Sequence, residues 1–258
     1  MTALSPHLAH LSTSHVLLLL VAGFGAGIFN GVAGGGSLIS FPVLLGLGYP
    51  ALTANITNTV GIWPGYLGGT AGFRTEIADQ RDHLKCLAPL GLGGGIVGAI
   101  LLLTTSSATF ARLAPYLILG AAALFAAQPL LRRALADPTD SRRPLLLYLG
   151  TFLAAIYGGY FGAGMGVVLL AVLGLALPDS IARTSGLRTI LSVVVNGMAA
   201  IVFIVHRGLA WEAVGWLALG SLIGGWIGAR VALGIPAWAL RVVVILIGAG
   251  TAVKLLAF

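Results

Sequence analysis

The sequence predicts an all-α polytopic membrane protein with two inverted repeats, each of about five transmembrane elements and each with a short helix broken by glycine. Three observations support this prediction: an apolar composition, a segment that occurs twice, and an uneven distribution of positive charge among the predicted loops. Of 258 residues, 58% are hydrophobic and only 8% are charged, with a mean hydropathy of +1.03. A soluble globular protein carries about 25% charged residues. Several apolar runs reach the roughly 20 residues that a bilayer-spanning helix needs.

The repeated segment is rich in glycine and ends at a proline. The first copy begins at Gly27 and reads GIFNGVAGGGSLISFPVLLGLGYP; the second begins at Ala155 and reads AIYGGYFGAGMGVVLLAVLGLALP. The two align without a gap, which pairs Gly31, Gly34, Gly36 and Pro50 with Gly159, Gly162, Gly164 and Pro178. A duplicated apolar segment interrupted by glycine is typical of the substrate site of a transporter.

Each half of the chain is expected to hold five apolar pieces in the same order. Those of the first half are Val16–Ala33, Ser37–Leu47, Ala51–Gly72, Leu87–Leu103 and Phe110–Leu131. Those of the second half are Leu145–Phe161, Val167–Leu177, Ile181–Val205, Trp211–Leu233 and Pro236–Phe258. The charged segment 74–85 is expected to be an aqueous loop. The predicted organisation is a first transmembrane repeat at 1–131, a cytoplasmic linker at 132–143 and a second repeat at 144–258.

The positive charges predict the topology. Because each half has an odd number of apolar pieces, the second half has the opposite orientation in the membrane. This holds whether the short helices are re-entrant or cross the membrane fully. One side then collects Arg74, Arg81, Lys85, Arg132, Arg133, Arg142, Arg143, Arg183, Arg230 and Arg241, while the other has Arg112, Arg207 and Lys254. Lys and Arg accumulate in cytoplasmic loops. We therefore expect a multi-pass protein of the inner cell membrane with both termini on the outer face. The net charge of +7 is a topology signal, and no nucleic-acid partner is expected.

The glycine breaks predict an anion site. A helix N-terminus carries about half a positive charge and binds anions where glycine lets a ligand approach its N–H groups. The expected backbone donors are Gly34, Gly35, Gly36, Ser37, Gly162 and Gly164. Polar side chains follow the aligned prolines and are expected to bind the substrate: Asn55, Thr57, Asn58, Thr184, Ser185 and Arg188. Intramembrane polar groups are costly and usually functional.

Two simpler interpretations stay open. The glycines could serve close helix packing alone, which is the favoured interpretation for Gly94-Gly95 and Gly224-Gly225. Arg188 could be an interfacial side chain that extends to the lipid headgroups, and Arg183 is expected to be one.

The acidic residues and cysteine exclude other classes. All seven carboxylates lie in predicted loops or at span edges, so an anion is a more suitable cargo than a cation. The single cysteine and the scattered histidines form no metal-ligand spacing, and no metal or other cofactor is expected. Because no buried titratable group could activate a nucleophile, we expect no enzyme. The expected partners are a small anion and the lipid bilayer, with a homo-oligomer left open.

The segments GVAGGGSLISFP and GGYFGAGMGVVLL, the polar stretch after each, and the GGxxGA pattern of the later helices resemble the TauE/SafE family of sulfite and organosulfonate exporters. The resemblance implies permeation of small sulfur oxyanions or related carboxylates across a prokaryotic plasma membrane. The alternative is a non-transporting membrane partner or assembly protein whose glycines serve packing. The second copy has Ala163 for Gly35 and Met165 for Ser37, so the two half-sites are not expected to be equivalent.

Overall fold

The computed structural model describes residues 11–32, 34–134, 143–206, 208–231 and 237–257, and throughout these residues the regular elements are helices, without a strand. The predicted all-α class is therefore confirmed. The helices are α1 (Thr13–Val32), α2 (Ser37–Gly46), α3 (Ala51–Gly72), α4 (Arg74–Ala78), α5 (Arg81–Thr104), α6 (Ser107–Ala134), α7 (Pro144–Tyr160), α8 (Met165–Ala176), α9 (Ile181–His206), α10 (Trp211–Val231) and α11 (Ala237–Ala257).

Each glycine break ends one helix and precedes a short one. The short helices α2 and α8 have 10 and 12 residues and begin at aligned positions, Ser37 and Met165. At 1.5 Å per residue they reach only about 15–18 Å, less than the roughly 30 Å hydrocarbon core of a bilayer. Gly34 and Gly162, also aligned, have φ of +79° and +78°, a left-handed conformation that glycine adopts without strain.

The described surface is apolar over much of its area. Among the residues that the structure describes, four helical segments are long and apolar enough to cross a membrane: Thr13–Gly31, Arg81–Thr104, Ser107–Leu130 and Ala182–His206. Large aliphatic side chains point outwards, with Leu130, Leu145 and Val205 68%, 75% and 77% exposed. An extended apolar surface of this kind marks contact with lipid.

The predicted loop over 74–85 is wrong in part, because this charged segment folds into α4 and the start of α5. Gln80 explains the folding: its Nε2 donates to the carbonyl oxygens of Glu76, at 2.9 Å, and of Arg183, at 2.7 Å. The side chain is buried and ties α4 to the first turn of α9. The segment is therefore a helical cap on α9.

The predicted linker also begins later than expected. Helix α6 continues to Ala134, so residues 132–134 belong to its last turn. The rest of the predicted linker up to residue 142 lies outside the described residues, as do Arg207 and Pro236.

Glycines join the two halves of the chain at closely packed helix pairs. Helix α1 packs against α10, and its counterpart α7 packs against α5. A Cβ placed on Gly94 of α5 would lie 2.7 Å from the carbonyl oxygen of Phe152. On Gly224 of α10 it would collide with the carbonyl oxygen of Phe24, the residue that aligns with Phe152. The helix-packing interpretation of these glycines is thereby confirmed.

Candidate substrate-binding site

The two glycine breaks, far apart in sequence, meet in space. A Cβ placed on Gly34, in the first break, would lie 2.8 Å from the Cα of Gly166, the second residue of α8. The backbone that leads into α2 therefore lies against the first turn of α8. Such a close approach requires that both positions lack a side chain, and it brings two helix N-termini together inside the protein.

Arg188 of α9 lies where the breaks meet. The residue is only 2% exposed, and its Nη1 would be 2.6 Å and 2.9 Å from Cβ atoms placed on Gly34 and Gly166. Its Nη2 donates a hydrogen bond of 3.2 Å to Thr189 Oγ1. A side chain buried among helices in this way does not extend to headgroups, so the interfacial interpretation of Arg188 is wrong.

Arg183 shows the contrasting environment five residues earlier on the same helix. Its side chain is 35% exposed and forms ion pairs with two carboxylates. Arg183 Nε lies 2.7 Å from Asp179 Oδ1, and Nη1 lies 3.5 Å from Asp79 Oδ2. Exposed pairs of this kind contribute about 0.2–1 kcal/mol. Arg183 thus holds the α4 cap at the edge of the protein, away from the junction.

Three of the six backbone donors expected from the sequence already have protein acceptors. The Gly34 N–H donates to the Phe29 carbonyl oxygen at 2.8 Å, and the aligned Gly162 N–H donates to the Tyr157 carbonyl oxygen at 3.2 Å. The Gly36 N–H donates to Asn30 Oδ1 at 2.8 Å. Of the donors expected from the sequence, these three could serve a substrate only by exchanging their present partners.

Of the polar residues of α3 expected to bind the substrate, two lie at the glycine breaks and one forms a contact between helices. Asn55 Nδ2 donates to the Tyr160 carbonyl oxygen at 2.9 Å, at the end of α7 and next to the second break. Asn58 Oδ1 accepts the hydroxyl of Ser40 in α2. Thr57 Oγ1 instead accepts the Ala210 N–H at 3.2 Å and so fixes α3 to the start of α10. The structure brings Asn55 and Asn58 to the breaks and leaves Thr57 in a structural contact.

Thr184 and Ser185 lie one turn before Arg188 on the same face of α9, as residues three and four apart do. Both are buried. Thr184 Oγ1 donates to the Ser180 carbonyl oxygen at 3.0 Å, and the Ser185 carbonyl oxygen accepts Thr189 Oγ1 at 2.8 Å. The pair therefore lies between the α4 cap and the buried guanidinium.

Helix α6 covers both breaks. The ring of Phe125, which is fully buried, occupies the space that a side chain on Gly35 would need. A Cβ placed on Gly164 would lie 3.4 Å from the Cβ of Ala121, one turn earlier in α6. Ser37, the first residue of α2, is 5% exposed. Helix α6 thus lies over Gly35 of the first break and Gly164 of the second.

Sequence reasoning missed three residues of this region. Asn30 and Ser40 bind the first turn of α2, and Phe125 packs over Gly35. Asn30 had a usable signal, since it is a polar residue in an apolar run just before the glycines. Phe125 had none, because an aromatic residue within an apolar helix is not distinctive.

The arrangement concentrates positive potential and offers no metal site. The Arg188 guanidinium and the N-termini of α2 and α8 lie together inside the protein, and each of these three groups favours an anion. In the part of the chain that the structure describes, no group of three or more His, Cys, Asp or Glu residues could hold a metal ion.

Comparison with known proteins agrees with this architecture. The family model described as "Sulfite exporter TauE/SafE" matches residues 19–255. The chain belongs to this family. No solved structure matches it significantly.

Curated relatives of the chain bear transporter names. A "Probable membrane transporter protein" of Haemophilus influenzae is 27% identical over 224 residues, which cover 84% of each chain. "Probable membrane transporter protein ORF9" of a Sinorhizobium species is 26% identical over 250 residues, 94% of this chain and 93% of the relative. "Probable membrane transporter protein YfcA" of Escherichia coli K12 is 23% identical over 236 residues, 90% and 86% of the two chains.

Proposed function

We propose that this protein, a membrane transporter of the TauE/SafE family, exports small anions such as sulfite, organosulfonates or related sulfur and carboxylate oxyanions. The observation that carries the proposal is the burial of Arg188 where the two glycine breaks meet. A charged side chain inside a membrane protein is costly and points to a substrate path. The planar guanidinium of arginine binds the oxygens of an oxyanion in a bidentate manner.

The other residues of the site would complete the coordination. Arg188 balances the charge, and the N-termini of α2 and α8 add their positive dipole ends. The amides of Asn55 and Asn58 bind substrate oxygens, while Thr184 and Ser185 line the approach to Arg188. The breaks themselves add backbone donors: those of Gly34, Gly36 and Gly162, which exchange their present protein acceptors for the substrate, and those of Gly35, Ser37 and Gly164.

Transport requires that the site open to each side in turn. Because α6 lies over both breaks, substrate entry or release requires a displacement of α6 relative to α2 and α8. In inverted-repeat transporters one bundle moves against the other around a fixed site near the bilayer midplane. The proposal includes that inverted arrangement, with both termini on the outer face of the inner membrane.

Efflux from proteoliposomes tests the function. The purified full-length protein is reconstituted, and release of sulfite is compared with that of sulfate, taurine, sulfoacetate and Ni²⁺. We expect selective anion flux that Gly36→Leu abolishes, because a Cβ at this position would collide with the backbone carbonyl of Ala26. Gly46→Ala is the matched control, since a Cβ there meets nothing within 4 Å. A folded protein that moves none of these anions refutes the proposal.

A further inference from the structure

Two buried asparagines beside the first break have an unused hydrogen-bond donor. Asn30 of α1 is 1% exposed and Asn58 of α3 is 0% exposed. In each carboxamide, Oδ1 is hydrogen bonded and Nδ2 has no partner. Each amide NH₂ group can donate two hydrogen bonds. Buried polar groups nearly always have partners, so an unused one needs an explanation, such as a role in binding a ligand.

Both carboxamides are anchored on the same turn of α2. Asn30 Oδ1 accepts the Gly36 N–H at 2.8 Å. Asn58 Oδ1 accepts the hydroxyl of Ser40, and Ser40 Oγ lies 3.2 Å from the Gly36 carbonyl oxygen. The two unused donors are thus fixed around Gly36. Gly34, two residues earlier, lies against the Arg188 guanidinium, so both asparagines are anchored on a segment that begins beside the buried cation.

The second half of the chain has no equivalent of this pair. In the alignment of the repeats, Asn30 corresponds to Gly158 and Asn58 to Gly186. Arg188 in turn corresponds to Val60. The first half therefore contributes neutral donors, and the second half contributes the positive charge.

We propose that Asn30 and Asn58 form a neutral donor subsite that binds the oxygen atoms of the oxyanion whose charge Arg188 balances. This inference rests on the proposed function and makes it more specific. One substrate binds at the junction, with its oxygens shared between the amides of the first half and the guanidinium of the second. The site favours anions that present several oxygens on one centre, such as sulfite or a sulfonate group, because a site built to hydrogen-bond substrate atoms rejects ligands that lack them.

Two substitutions remove the unused donors. Asn30→Asp also adds a negative charge that repels an anion, so the neutral variant Asn58→Leu decides whether the donor itself is needed. Asn30→Asp keeps an oxygen to accept the Gly36 N–H and replaces Nδ2 by a second oxygen. Asn58→Leu removes the amide without adding charge, while the Ser40 hydroxyl keeps the Gly36 carbonyl oxygen as acceptor. The control is Thr151→Val, because Thr151 of α7 is also buried with an unpaired side-chain oxygen but contacts neither break.

The measurement is isothermal titration of sulfite into the purified full-length protein, with thermal unfolding to verify the fold. We expect the sulfite affinity to fall at least tenfold in Asn30→Asp and in Asn58→Leu, and to stay within threefold of wild type in Thr151→Val. If both asparagine variants bind sulfite as wild type does while Arg188→Gln does not, the subsite is refuted and the proposed function stands. An equal loss in Thr151→Val also refutes the subsite. Failure of the wild-type protein to bind sulfite, taurine or sulfoacetate overturns both proposals.

Discussion

The strongest prediction of the structure concerns the charge of Arg188. Replacement by glutamine keeps a polar side chain, two atoms shorter, and removes the guanidinium from the junction of the breaks. A hydrogen bond to a charged group contributes about 1.5–3 kcal/mol, and about 1.4 kcal/mol corresponds to a factor of ten. Arg188→Gln should therefore lower sulfite affinity by roughly 10- to 100-fold. Arg188→Lys keeps the charge but loses the planar fork, so its affinity should lie between those of wild type and Arg188→Gln.

The assay combines sulfite titration with efflux from proteoliposomes, each at several substrate concentrations. Arg183→Gln is the matched control, because it removes an arginine from the same helix that is partly exposed and paired with Asp79 and Asp179. Its binding and flux should stay within about threefold of wild type, since exposed ion pairs are weak. Equal losses in the Arg183 and Arg188 variants, or unchanged binding in Arg188→Gln, would contradict the assignment of Arg188.

Two further predictions address packing and topology. Gly94→Ala should lower the free energy of unfolding by about 1–3 kcal/mol, because the new methyl group overpacks a backbone carbonyl of α7. Gly120→Ala should raise it by about 0.4–1 kcal/mol, since a Cβ at Gly120 meets nothing within 4 Å. Thermal unfolding measures both variants, and a loss of stability in each would contradict the contact at Gly94. Cys86, the single cysteine of the chain and exposed near the start of α5, should react with a membrane-impermeant maleimide in inside-out vesicles and stay unlabelled in intact cells. Labelling of intact cells would reverse the proposed topology.

The helices and their breaks follow from local sequence. Apolar runs of sufficient length have few alternatives to helix in a bilayer, because every backbone polar group must be paired internally. Glycine and proline then mark where helices end, which explains why the starts of α2, α3 and α9 agree with the prediction and why α8 begins only two residues before the predicted Val167. The charged segment 74–85 was predicted less well, since the hydrogen bond from Gln80 to the Arg183 carbonyl joins residues far apart in sequence.

The residues of the candidate site also differ in whether the local sequence predicts them. Arg188, Asn55 and Asn58 could be selected from the sequence because intramembrane polar side chains are rare and costly. Asn30 could be noticed only as a polar residue in an apolar run, and Phe125 had no signal, since their roles depend on contacts with Gly36 and Gly35 in the first break. Thr57 was selected on its polarity and belongs to a helix contact.

By itself, the sequence determined the helical class, the two breaks, the family resemblance and the types of residue able to bind an anion. These properties depend on composition, on short-range backbone preferences and on a repeat that can be read along the chain. Only the tertiary structure decided that the breaks meet at Gly34 and Gly166, that Arg188 lies buried where they meet, and that Asn30 Nδ2 and Asn58 Nδ2 have no protein partner. The reason is physical: contact across the repeats depends on the close approach of backbones at glycines, and no pattern within one helix encodes its partner in the other half.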